Sequence, residues 1–368
     1  MNLQGTEPIF TDNILLLGAG FTKNFGGLLA DEMWAHIFNN EKVQAQPRIR
    51  ELMLNDFDYE SIYYSILEDP LFSDNDKKAI KEATKLAYDN IDKIIIEYTE
   101  RHNQIRGFYS VDDFIRCFPP HDREIKNPKD GKIYHILPNE NSKSFIFTLN
   151  QDLFFERVYP NLGYPKLSIP GIRNSPEWFT FPIVFNSPLT SSDYCKLPSE
   201  DELINKDILS KGNYFLIKLH GSYNWTSFDG SDIMVIGRGK KEQIQKEPLL
   251  KRYFEIFERV LSQEKRRLLI IGYGFGDDHI NRIISNGVKC HGLKIYILSP
   301  ESPEKLKKKL YEKSKELKEQ SYDTFKDPIN IWEGVSGYFQ CINILLGDNG
   351  ENQAMRKYFN EVFFGMDN

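Results

Sequence analysis

Residues 13–27, NILLLGAGFTKNFGG, constrain the fold of this chain more than any other stretch. Asn13 to Leu17 is a short apolar run of the kind that forms a buried strand. It breaks at Gly18-Ala19-Gly20, and Thr22, Lys23 and Asn24 then lead into apolar positions at helical spacing between Leu28 and Phe38. A strand that feeds a glycine turn and then a helix start makes a site for phosphate. Glycine lets the backbone come close to a ligand, and the free amides and dipole of the helix start favour negative charge. The full dinucleotide fingerprint is not met. Lys23 stands where a third glycine belongs, and residues 38–56 do not read as a second strand ending in an acidic residue.

Four further apolar runs read as buried strands: Ser144 to Leu149, Tyr214 to Leu219, Arg267 to Ile271 and Leu293 to Leu298. Each ends in small or polar residues, namely Asn150-Gln151-Asp152, His220-Gly221, Gly272-Tyr273-Gly274-Phe275-Gly276 and Ser299-Pro300. Ligands of open α/β sheets bind beyond the carboxyl ends of the strands, so these ends converge on one crevice. Two of the ends are glycine loops followed by helices, which suits a dinucleotide held at two points. The expected fold class is α/β, a Rossmann-like parallel sheet flanked by helices.

Residues 28–118 carry helical spacing and no strand signal, and are read as a helical insertion with Asp56, Asp74 and Asp112 as caps or turns. A turn-rich connection follows, with a small hairpin expected around Asp130-Gly131. Residues 153–213 hold seven prolines and are read as an irregular insertion. Residues 247–264 form an amphipathic helix, and Asp277 or Asp278 is placed to cap the helix after the second glycine loop. The lysine-rich face of the helix marked by Leu306, Leu310 and Leu317 reads as solvated. The tail suggests a strand near Ile342 to Leu346 and a helix around Ala354 to Phe364. One catalytic domain over 1–300 with a C-terminal extension, 301–368, packed on it accounts for the whole.

The 368 residues carry 47 Lys and Arg against 53 Asp and Glu, a net charge of −6, which speaks against nucleic acid as an obligatory partner. The four cysteines are far apart and include no CxxC, which excludes the common zinc spacings and a disulfide framework. No signal peptide or apolar run of membrane length occurs, so a soluble, cytoplasmic protein is expected.

Gly18-Ala19-Gly20-Phe21-Thr22, Thr148-Leu149-Asn150-Gln151-Asp152 and His220-Gly221 occur in an order that resembles the sirtuin-like NAD-binding family, the silent information regulator type. Ile271 to Asn281 stands where deacylases of that family have a glycine-serine loop, and resembles the variant in bacterial sirtuin-like defence proteins. Two departures matter. Asn24-Phe25-Gly26-Gly27-Leu28 replaces the family's isoleucine-proline-aspartate-phenylalanine-arginine segment, and no cysteine lies between Gly221 and Gly272 where deacylases carry a zinc module. The resemblance therefore implies NAD hydrolysis rather than deacylation, with NAD as substrate and no metal.

The resemblance and the strand-end positions together imply Asn150 as the holder of ribose and attacking water, and His220 as general base. Gly18, Ala19, Gly20 and Thr22 are expected along the diphosphate. Gly272, Tyr273 and Gly274 meet the adenosine half, and Ser299 its ribose. Phe21 either covers the reactive ribose or belongs to the core, and Asp152 either meets the nicotinamide end or caps the helix at Leu153. His279 reads as a packing or interface residue. The implied role is depletion of NAD in anti-phage defence, regulated by homo-oligomerisation and by a separate partner such as a HerA-type hexameric ATPase. The competing readings are a nucleotide-sensing module without turnover and an NAD-dependent deacylase.

Overall fold

The computed structural model describes residues 8–102, 114–115, 118, 123–126, 133–136, 142–158, 167–172, 188–190, 193–230, 235–237, 239–320, 324–325, 327–340 and 357–364. The strands in chain order are β1 (Ile9–Phe10), β2 (Asn13–Leu17), β3 (Arg123–Lys126), β4 (Ile133–Ile136), β5 (Ser142–Thr148) and β6 (Leu167–Ser168). They continue with β7 (Cys195–Lys196), β8 (Tyr214–Lys218), β9 (Trp225–Thr226), β10 (Arg267–Ile271), β11 (Lys294–Leu298) and β12 (Val335–Phe339).

Eight of these strands build one sheet, ordered β12-β11-β10-β2-β5-β8-β6 with β1 paired to β5. Every described pairing in it is parallel. The five strands expected from the apolar runs all form, and their registers explain why they are apolar throughout. Ile14 to Leu17, Phe145 to Phe147, Phe215 to Ile217 and Leu268 to Ile271 are buried because helices cover both faces of a parallel sheet. Each such side chain contributes roughly 1.5–3 kcal/mol.

The order of the strands places the site. From β2 the chain builds outward through β5 to β8, then returns to the other side of β2 and builds β10, β11 and β12. The direction reverses between β2 and β10, so the crevice of such a sheet lies at Gly18 and Gly272.

The helical insertion forms as helices Ala30–Phe38, Glu41–Gln44, Pro47–Asn55, Tyr59–Glu68 and Asp74–His102. Asp58, rather than Asp56, caps Tyr59–Glu68, accepting from the amides of Glu60 and Ser61. Asp112 lies outside the described residues. The insertion is pinned to the sheet domain by a buried pair: Arg157 donates from Nε to Asp92 Oδ1 at 2.8 Å and from Nη2 to Asp92 Oδ2 at 2.5 Å. The expected hairpin is present as antiparallel β3–β4, with Asp130-Gly131 outside the described residues.

One expectation is corrected. The first glycine turn does not run straight into the helix at Leu28. A single turn, Ala19–Thr22, and a 3-10 turn, Lys23–Phe25, end at Gly26 with φ 94°, and the longer helix begins at Ala30. Among the described residues the last strand is Val335–Phe339, whose half-buried Val-Ser-Gly-Tyr-Phe pattern is that of an edge strand and leaves no continuous apolar run to read. The run 342–346 lies outside the described residues. Near the chain end, Phe359 and Phe363 stack at 5.6 Å, and Phe363 meets Tyr296 edge-on at 5.0 Å, so this turn packs against the sheet. No helix among the described residues is long and apolar enough to cross a membrane.

Candidate active site

The ends of β2 and β10 are locked together by glycine. Gly18 donates to the carbonyl of Ile271 at 3.0 Å and Gly20 to that of Gly272 at 2.9 Å. A Cβ on Gly18 would lie 2.6 Å from Gly272 O, and one on Gly272 would lie 2.3 Å from Phe21 N. Gly272 also has φ of 64°, which side chains rarely adopt. Gly18 and Gly20 are expected along the diphosphate and Gly272 at the adenosine half. The geometry gives Gly18, Gly20 and Gly272 a prior task, which is to bring two loops into backbone contact, and it spends the Gly18 and Gly20 amides on that contact.

Above this seam opens a cleft of about 1790 Å³, roomy enough for a dinucleotide. Gly18, Ala19, Gly20, Asn150, His220, Gly272, Tyr273, Gly274 and Ser299 all line it. Residues from five strand ends thus meet as expected. Thr22 stands behind the wall instead, and so do Phe21 and Asp152, each in the second of its two expected roles. Phe21 is 2% exposed and packs on Phe25, Phe154 and Phe155, so it belongs to the core. Thr22 is buried as well, donates to Ala19 O at 3.3 Å and accepts from Asn150 Nδ2 at 3.3 Å. Asp152 Oδ1 caps the helix Phe154–Val158 by accepting from Phe154 N at 3.0 Å, while its own carbonyl accepts from Lys218.

Asn150 is fixed from three sides. Its amide nitrogen donates to Gly18 O at 3.1 Å and to Thr22 Oγ1, and its backbone N–H donates to Thr148 Oγ1 at 3.1 Å. Both side-chain donors are therefore used on the first loop, and the side-chain carbonyl is the group left for a ligand or water.

His220 is 4% exposed, and its Nε2 lies 3.0 Å from Nε2 of His279. One ring donates and the other accepts. Burial is the main cause that brings His220 down to about 3 and His279 down to about 4, so both rings are neutral at pH 7. Asp277 completes the group. It occupies the N-cap position of the helix Asp278–His291 yet caps nothing with its side chain. Its carboxylate accepts from Lys240 Nζ at 2.8 Å, and Lys240 also pairs with Glu60 at 2.7 Å. Burial pushes the Asp277 carboxyl up, but His220, Lys240 and His279 outweigh it and hold it at about 2. Burial likewise opposes the charge of Lys240, and Glu60 and Asp277 outweigh that.

His220, Asp277 and His279 each offer a ligand atom, all within 4.8 Å of one another, a spacing that suits a metal ion. The direct ring–ring hydrogen bond and the Lys240–Asp277 pair also satisfy these groups without one. Among the described residues Cys195 and Cys290 are free, and no cysteine joins a metal-binding group, so no zinc module is formed.

His279, Asp277, Lys240 and Glu60 were not legible as site residues. The signal for the first two was the loop itself, since Gly276-Asp277-Asp278-His279 follows a glycine-rich strand end. Glu60 comes from the helical insertion and Lys240 from the stretch before Pro248, and nothing local marks either. Lysines from the helix Pro303–Gln320 also reach the second loop: Lys309 Nζ donates to Gly274 O, and Lys313 Nζ to Gly276 O at 3.0 Å. That face is therefore solvated only in part.

The fold and the cleft define an α/β protein of Rossmann-like architecture whose dinucleotide-sized site straddles the reversal of the sheet. Residues 144–321, a little under half of the chain, match the family described as SIR2-like domain. Domains of this kind bind NAD, in accord with a cleft at this position. The matched stretch spans Asn150, His220 and the second glycine loop, while the first glycine loop lies outside it and is joined to it by the Gly18–Ile271 and Gly20–Gly272 hydrogen bonds. None of the curated proteins compared matches the chain.

Proposed function

We propose that the chain is an NAD hydrolase that releases nicotinamide and ADP-ribose. The observation that carries this reading is the convergence of Asn150 and His220 on one cleft with two interlocked glycine loops. NAD lies across the loops with its nicotinamide ribose at Asn150 and His220 and its adenosine half toward Gly274 and Ser299. The bond from the first ribose carbon to the nicotinamide nitrogen breaks with its electron pair going to nicotinamide. Water held by the Asn150 carbonyl adds to that carbon and gives up a proton.

Burial leaves His220 a weak base even though the Asp277 charge favours its imidazolium, and Lys240 and His279 oppose it. What offsets the burial is the Asp277 carboxylate. A proton that arrives on His220 is shared with His279 and stabilised by the Asp277 carboxylate, so the cost of the buried imidazolium falls as the proton arrives. Lys240 and Glu60 hold that carboxylate in place. The absence of any cysteine between Gly221 and Gly272 speaks against deacylation.

The role that fits is depletion of NAD in anti-phage defence. Such an activity needs restraint, and the restraint comes from homo-oligomerisation and a separate partner of the HerA-type ATPase kind. The test is purified protein incubated with NAD, alone and with a co-purifying partner, with nicotinamide and ADP-ribose followed by chromatography. Release is expected to fall at least 100-fold in Asn150→Ala and in His220→Gln, on the order of the loss of a positioned catalytic group. NAD left intact under every condition by a folded protein overturns the hydrolase, and full turnover by an isolated monomer overturns the restraint.

A further inference from the structure

A second cavity, of about 510 Å³, lies apart from the main cleft and shares no lining residue with it. One wall is the helix Asp74–His102, which presents Lys77, Lys81 and Lys85 at four-residue spacing on a single face. The opposite wall is aromatic, made by Tyr194, Tyr223 and Trp225 around the β7–β9 pair. Lysines concentrate here although the chain as a whole is acidic. Glu82, on the same wall, is occupied by Lys42 at 2.7 Å.

Tyr223 is the residue that asks for a ligand. It is 7% exposed, its ring stacks on Tyr88 at 5.3 Å, and it lines the cavity. Its phenol oxygen has no hydrogen-bond partner among the described residues. A buried hydroxyl left unsatisfied costs about 1–3 kcal/mol, a cost that a bound acceptor removes. Burial drives the Tyr223 pKa far upward, so the phenol keeps its proton and is a donor.

Aromatic side chains beside a row of ammonium groups match a flat ring carrying phosphate. The volume suits a mononucleotide. We propose that this cavity is a second binding site, for a nucleoside mono- or diphosphate, whose base lies against Tyr194 and Trp225 and whose phosphate meets Lys77 and Lys81. The proposal stands apart from NAD hydrolysis in the main cleft and does not depend on it. The site adjoins the loop that carries His220. Tyr223 N donates to Gln151 O at 3.0 Å, and Lys218 Nζ, 6.0 Å from the centre of the Trp225 ring, donates to Ser222 Oγ and Asp152 O.

The test is photolabelling of the whole chain with 8-azido-ADP, followed by proteolysis and mass spectrometry, together with equilibrium binding of ADP by calorimetry. Label is expected on peptides that contain Tyr194 or Tyr223 to Trp225. The double reversal Lys77→Glu with Lys81→Glu, on the solvent side of a long helix, is expected to weaken that labelling about tenfold or more. Tyr223→Phe, which keeps the packing and deletes only the oxygen, is expected to weaken ADP binding at this site about fivefold, the worth of one hydrogen bond. Label confined to the main-cleft peptides around residues 272–282, no label, or labelling untouched by the lysine reversal each overturns the site. Unchanged binding in a folded Tyr223→Phe overturns the role given to the phenol.

Discussion

At the scale of the residue, the site is governed by charge and burial. His220 and His279 are held neutral, and in the unfolded chain each would titrate near 6.5. The folded state thus binds fewer protons than the unfolded state between about pH 6.5 and pH 4, and stability must fall as the pH falls through that window. The slope for each group approaches about 1.4 kcal/mol per pH unit. Thermal melts from pH 7.5 to 4.5 are expected to show this loss, and the double variant His220→Gln, His279→Gln to flatten it. A wild-type curve that is level over the window contradicts the neutral pair. The same pair bears on metal. Because the two rings satisfy each other and Asp277 pairs with Lys240, treatment with a chelator is expected to leave nicotinamide release unchanged. A loss that added zinc or manganese restores would instead make the triad of 4.8 Å spacing a metal site.

At the scale of the element, the seam between the two glycine loops decides whether a site exists. Gly272→Ala puts a Cβ within 2.3 Å of Phe21 N at φ of 64°. It is expected to cost about 2–4 kcal/mol, the sum of a left-handed side chain and an overlap that backbone cannot relieve. Gly276→Ala in the same loop meets nothing within 4 Å and is expected to stay within about 0.5 kcal/mol of wild type. Equal chemical-denaturation midpoints for the two variants would show that the seam does not matter. This seam also marks the limit of what the sequence could say. The strands were legible because a parallel sheet covered on both faces needs unbroken apolar runs, and Asn13–Leu17 and Arg267–Ile271 were read to the residue. Position at a strand end was enough to bring Asn150, His220, Tyr273 and Ser299 together. Thr22 faces away from the cleft, and Phe21 and Asp152 take the core and capping roles among their two alternatives, because adjacency to a glycine turn does not say which side of the backbone faces the cleft. Asp277 read as a cap because its position is that of a cap, and only the tertiary arrival of Lys240 and His220 gives its carboxylate another use.

At the scale of the whole molecule, the sheet reversal between β2 and β10 gathers parts that are remote in the chain. The helical insertion supplies Glu60, the sheet supplies Asn150 and His220, and the Pro303–Gln320 helix supplies Lys309 at Gly274. The buried Arg157–Asp92 pair ties the insertion to the sheet domain that carries Asn150 and His220. The most direct test of this arrangement is a crystal structure of His220→Gln with NAD bound. The account predicts the nicotinamide ribose beside Asn150 and residue 220, the diphosphate over the Gly18–Gly272 seam, and the adenosine at Gly274 and Ser299. NAD bound in the reverse direction, or outside this cleft, would contradict it.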